Sequence, residues 1–107
     1  MANTYTRLAA LRPADTDQAE LYEAAASEYV VATLHICNQS GSDRTYDVAL
    51  TDSSGAAADE DWICKDFPIQ ASMSHKFSIS FGDGDTIRVK ASVADFISFV
   101  LEGLLIT

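Results

Sequence analysis

His35 and His75 are the side chains of this 107-residue sequence best suited to move a proton near neutral pH, and many serines and aspartates are at hand to complete a triad. Neither histidine is accompanied by a Gly-x-Ser-x-Gly elbow or a comparable local signature, so acyl-transfer chemistry is not expected. Asp59-Glu60-Asp61 and Gly82-Asp83-Gly84-Asp85 offer the carboxylate oxygens that calcium prefers, yet neither has the loop length and closing glutamate of an EF-hand. The Gly-Asp-Gly-Asp stretch also lacks the lysine and hydroxyl of a phosphate-binding loop, and its carboxylates would repel phosphate. Cys37 and Cys64 have no metal-site spacing; two thiols suit a reducing compartment, and a single bridge between facing strands stays open. Trp62, Tyr46 and the phenylalanines could stack a sugar or a base, but aromatics at strand parity usually fill a core. No catalytic residue, cofactor or metal ligand is assigned on these grounds.

The elements that would position these groups are β-rich. Glu28 to Asp52 holds two alternating runs: Val30, Ala32, Leu34 and Ile36 share one face of the first, and Tyr46, Val48 and Leu50 share one face of the second. Asn38 to Asp43 between them is rich in residues that tolerate a chain reversal, so the pair reads as a hairpin. Ser74 to Phe81 and Thr86 to Ala91, joined by the Gly-Asp-Gly-Asp turn, read as a second hairpin. Tyr5 to Leu11 is a weak strand stopped by Pro13, Leu21-Tyr22 a short one, Ser53 to Asp61 an exposed loop, and Glu60 to Phe67 a strand closed by Pro68. Seven to eight short strands with regular turn signals predict an all-β fold, an antiparallel β-sandwich of jelly-roll or immunoglobulin-like type. Leu34, Ile36, Val48, Leu50, Phe77, Ile79, Ile87, Val89 and Phe99 are the expected core.

Sixteen acidic against seven basic side chains give a net charge of −9, which disfavours nucleic acid and anionic lipid as partners. No apolar run approaches the roughly 18 residues of a membrane span, and the opening residues lack a signal-peptide pattern, so synthesis in a cytoplasm is expected. The charge is uneven. Residues 1–13 carry Arg7 and Arg12 and no carboxylate, while the remainder holds five basic and sixteen acidic side chains. The expectation is a basic N-terminal arm over residues 1–13, its arginines pairing carboxylates of a neighbour, and a sandwich domain over residues 14–107.

Phe96 to Thr107 departs from alternation. Ile97, Phe99 and Leu101 make one apolar face, and Phe96, Val100, Leu104, Leu105 and Ile106 leave the rest apolar too. A small domain has one interior, so a strand apolar on both faces implies a subunit interface. Arg7, Arg12, Phe96, Val100, Leu104, Leu105 and Ile106 are the interface candidates, and a homo-oligomer, a trimer by expectation, is the predicted state.

Taken in order, several landmarks resemble a family of small β-rich virion structural proteins encoded by tailed bacteriophages. They are Thr4-Tyr5, Leu21-Tyr22, Val30-Val31 leading to Cys37-Asn38 and Ser40-Gly41, Tyr46-Asp47-Val48-Ala49, Glu60 with Trp62-Ile63 and Asp66, Pro68-Ile69, Asp85-Thr86-Ile87, Ala91-Ser92, Ser98-Phe99 and Ile106-Thr107. Two departures stand out. Glu23-Ala24-Ala25-Ala26 replaces the family's Val-Pro-Ala-Gly-like turn, and Leu104-Leu105 follows Gly103 where the family is polar. The resemblance implies a non-enzymatic virion component. The small size, the compact acidic domain and a basic extension suited to reaching a neighbour favour a capsid-decorating cement subunit bound to other virion proteins such as the major capsid protein. The alternative is a tail- or baseplate-attached structural or host-adhesion module that binds carbohydrate.

Overall fold

A computed structural model of the chain describes residues 3–52 and 55–107. Eight strands run in chain order: β1 (Asn3–Leu11), β2 (Ala19–Glu23), β3 (Tyr29–Asn38), β4 (Arg44–Thr51), β5 (Trp62–Ile69), β6 (Ser74–Gly82), β7 (Thr86–Ala91) and β8 (Ile97–Ile106). They form two four-stranded antiparallel sheets, ordered β1-β8-β3-β6 and β2-β7-β4-β5. Apart from β4 and β5, consecutive strands lie in opposite sheets or are not neighbours. That winding is a jelly roll.

The alternation read from the sequence decides which side of each strand is buried. Val30, Ala32, Leu34 and Ile36 from β3 meet Ile97, Phe99 and Leu101 from β8 and Tyr46, Val48, Ile87 and Val89 from the other sheet, all buried. Tyr46 sits at the centre, its ring edge-on to Phe99 and to Phe67. Of the expected core, Leu50 and Phe77 face inward but are only partly buried.

Both expected hairpins are sheet crossings instead. β3 pairs with β6 and β8, whereas β4 pairs with β5 and β7. Asn38 makes the first corner. Its buried side-chain amide donates to the carbonyls of Ser42, Ile69 and Gln70, and its oxygen accepts from the Ser40 N–H and hydroxyl. The second crossing follows β6, where the Asp83 carboxylate accepts the Ser27 N–H and Asp85 accepts the Gly82 N–H. These acidic side chains therefore act as turn caps.

Residues 3–11, the body of the expected arm, are β1 of this same domain, and Met1 and Ala2 lie outside the described residues. The β1 backbone pairs with β8, and Leu8, Ala9 and Leu11 pack against the core. Beyond it Pro13 is buried, and its carbonyl accepts the Asp95 N–H at 2.9 Å. A short apolar-polar strand beside an open sheet edge gains more from that ladder than from reaching into solvent. Residues 53 and 54 of the expected loop are likewise outside the description; Asp59–Asp61 within it form one 3₁₀ turn. β5 runs through Pro68, which an edge strand tolerates because one side of its backbone has no partner.

Candidate interaction surface

The outer face of the β1-β8-β3-β6 sheet is built from the outward half of each alternation, and the registers place its side chains in rows. Asn3, Ile106, Tyr29 and Gly82 form one row, and Tyr5, Leu104, Val31 and Ser80 the next. Arg7, Glu102, Thr33 and Ser78 follow, then Ala10, Val100, His35 and Lys76. Tyr5, Tyr29 and Val31 are 71%, 55% and 54% exposed, and Leu104 and Ile106 are half-buried among them. Five large apolar side chains thus adjoin one another on a surface that no other segment among the described residues covers.

Charge sets this face apart from the rest of the molecule. Of the sixteen carboxylates, only Glu102 lies on any of these four strands. It stands across from Arg7 in register, and its Oε1 is 3.0 Å from Nε2 of His35. Like-charge repulsion between acidic molecules is therefore weakest here.

The seven interface candidates divide. Arg7, Val100, Leu104 and Ile106 come together on the outer face. Leu105 packs inward against the core, as the neighbour of an outward residue on a strand must. Phe96 precedes β8 and is exposed at the opposite end of the sheet from Leu104, near Arg12, whose Nη1 donates to Gln39 Oε1 at 3.2 Å; the Phe96 carbonyl accepts the Gln39 N–H. Tyr5, Tyr29 and Val31 were not among the candidates. Their outward parity was visible, but the neighbours that turn single exposed residues into a patch depend on strand order.

The chemistry-bearing groups are engaged in structural roles. His75 Nδ1 lies 3.0 Å from the Tyr46 hydroxyl inside the sandwich. Burial, and secondarily the nearby Cys64, pushes the Tyr46 phenol up to about 12. Cys64 is itself raised by burial and by Asp47, and Tyr22 by burial and its hydrogen-bonded partner Glu28. Cys37 and Cys64 are free and belong to different sheets.

The other sheet carries a polar cleft of about 250 Å³ on its outer side, lined by Thr16, Thr45, Asp47, Asp66, Lys90 and Ser92. Asp47 within it is nearly buried and accepts the Asp66 N–H at 2.6 Å. The adjoining Trp62 has the Lys65 ammonium 4.9 Å from its ring centroid, so one face of the indole is taken up. No three histidine, cysteine, aspartate or glutamate side chains converge as a metal site among the described residues.

No family model and no curated protein sequence matches the chain. Solved structures share its fold. The chain is similar to part of the structure of infectious bursal disease virus Gx strain, with a TM-score of 0.52 and 13% identity over 97% of this chain. It spans about a third, 32%, of that viral chain. It is also similar to the tobacco streak virus coat protein, with a TM-score of 0.52 and 7% identity, covering 94% of this chain and 85% of the coat protein. At such identities the likeness is one of fold, and the fold is a jelly roll found in viral structures.

Proposed function

We propose that this chain is a non-enzymatic structural subunit of a virion, and that it decorates the capsid of a tailed bacteriophage as a cement protein after synthesis in the host cytoplasm. The observation that carries the reading is the uncovered apolar face of the β1-β8-β3-β6 sheet on a domain whose other surfaces are acidic. A jelly roll shared with a viral coat protein supports the virion setting, and the ordered landmarks described above support the phage. The face meets copies of the chain and the major capsid protein through Tyr5, Tyr29, Val31, Leu104 and Ile106, with Arg7 and Val100 beside them. Nucleic acid and membrane are not its partners.

Locating the chain in the density of the particle that encodes it is the decisive experiment. The expected position is the outer capsid surface, with this sheet face turned onto a neighbouring subunit. A position on the tail, or absence from the purified particle, would overturn the cement reading. Tyr5→Glu combined with Leu104→Asp should leave the domain folded and remove it from the particle.

A further inference from the structure

Four strands form the edges of the two sheets, β1 and β6 in one and β2 and β5 in the other. Three of them break their ladder. Leu8 is an extra residue in β1 between Arg7 and Ala9, and Leu21 is one in β2 between Glu20 and Tyr22. β5 shifts register on both sides of Cys64, with Asp66 at φ 49°. Bulges twist an edge away from an incoming strand, and Lys65 and Pro68 add to that protection on β5. β6 has no such break. All nine of its residues pair in one continuous register with Tyr29–Cys37 of β3, and among the described residues no strand lies beyond it.

We propose that β6 is a strand-addition edge and that its occupant is β6 of a second copy, antiparallel about a two-fold axis at Ser78. Ser78 is the middle residue of the strand, so this register sets Ser74–Gly82 against itself, the Gly82 N–H at each end staying with Asp85. On the inward side Phe77 meets the second copy's Ile79, and His75 meets its Phe81. Phe77 is a core-facing residue that the chain leaves partly exposed, and an apolar side chain directly across would cover it. On the outward side Ser78 meets itself and Lys76 meets Ser80. No charge stands opposite its like. β6 contains Lys76 and no carboxylate, so two chains of net charge −9 approach there with little repulsion. The three serines also keep the outward side free of bulk. An isologous pairing of this kind doubles the sheet, and backbone hydrogen bonds supply the contact.

This contact lies beside the apolar face and is tested separately from it. In a background carrying Cys37→Ser and Cys64→Ala, Ser78→Cys should form a disulfide-linked dimer several-fold faster under mild oxidation than Lys76→Cys or Ser80→Cys alone. An equal mixture of those last two should cross-link to each other, because the register places position 76 across from position 80. Ser78→Glu sets two carboxylates against each other at the axis and should lower the mass in light scattering by one half while circular dichroism stays unchanged. Tyr5→Glu with Leu104→Asp should leave the Ser78→Cys cross-link intact even where it abolishes attachment to the particle. Equal cross-linking rates at 76, 78 and 80, or an unchanged mass for folded Ser78→Glu, would overturn the proposal.

Discussion

The two sheets present opposite kinds of outer surface, and the contrast shows where the chain covers itself. Behind the β2-β7-β4-β5 sheet, Asp47, Thr51 and Thr86 point outward yet are buried, and the Gln18 side chain takes both the Ala57 N–H and Arg88 Nε. Polar groups covered by the chain's own loops must find hydrogen bonds there, and these do. Among the described residues the β1-β8-β3-β6 sheet has no such cover and turns out Tyr5, Tyr29, Val31 and Leu104. An exposed apolar face of this kind, beside a face that the chain's own loops cover, is what the proposed contact with a neighbouring subunit would bury.

The largest expected effect separates the two sides of β8. Phe99→Ala removes a fully buried ring packed on Tyr46 and should cost about 3–5 kcal/mol, read by urea denaturation. Val100→Ala, one residue away on the outer face, should cost under about 1 kcal/mol. Equal losses would break the distinction between the two sides.

Next in size is an alkaline loss. With its phenol held up to about 12 in the fold against an ordinary value near 10, Tyr46 keeps its proton in the folded chain when the unfolded chain has released it. The unfolded state then binds fewer protons, so the tyrosine's contribution is full below pH 10 and falls between pH 10 and about 12, by on the order of 2–3 kcal/mol. Tyr22 and Cys64, also raised, add in the same direction, the thiol beginning at lower pH. Thermal melts across that range should show the decline, and Tyr46→Phe should flatten most of it.

Gly103→Ala is expected to cost roughly 1–3 kcal/mol or more. A Cβ there would meet the Val31 carbonyl oxygen and the Ala32 backbone, where β3 and β8 lie close together. Backbone on both sides cannot give way as a flexible side chain can. A neutral result in denaturation would mean that the two strands separate more readily than their pairing implies.

Strand identity and burial parity were legible in the sequence because period-two alternation is local: Val30 to Ile36, Phe77 to Phe81 and Ile87 to Ala91 all face as their spacing requires. Partners were not. Asn38 to Asp43 and Gly82 to Asp85 have hairpin chemistry, and a turn that reverses the chain within a sheet uses the same residues as a corner that carries it across to the facing sheet. What decides is the contact of Asn38 with Ile69 and Gln70, about thirty residues away, which no window of sequence contains. The same limit hid the patch. Leu104 was visible as the surplus apolar residue of β8, but Tyr5 and Val31 join it only once β1 and β3 flank that strand.

The smallest change in stability is expected at that patch, and it tests the comparison most directly. Leu104 and Leu105 are chemically identical neighbours on opposite sides of β8, one half-buried on the outer face and the other packed against the core. Leu104→Asp gives up part of a leucine's burial and places a second carboxylate on the face of Glu102, so the isolated domain should lose about 1 kcal/mol or less. Leu105→Asp puts a charge against the interior and should lose several times more, because an unpaired carboxylate there has neither water nor a partner. Attachment should run the other way. Folded Leu104→Asp should fail to bind the particle, while Leu105→Asp, at a temperature where it remains folded, should keep the outer face and bind. If Leu104→Asp attaches as the unmodified chain does, the contact lies on another surface, and the apolar face of this sheet is not what holds the subunit in place.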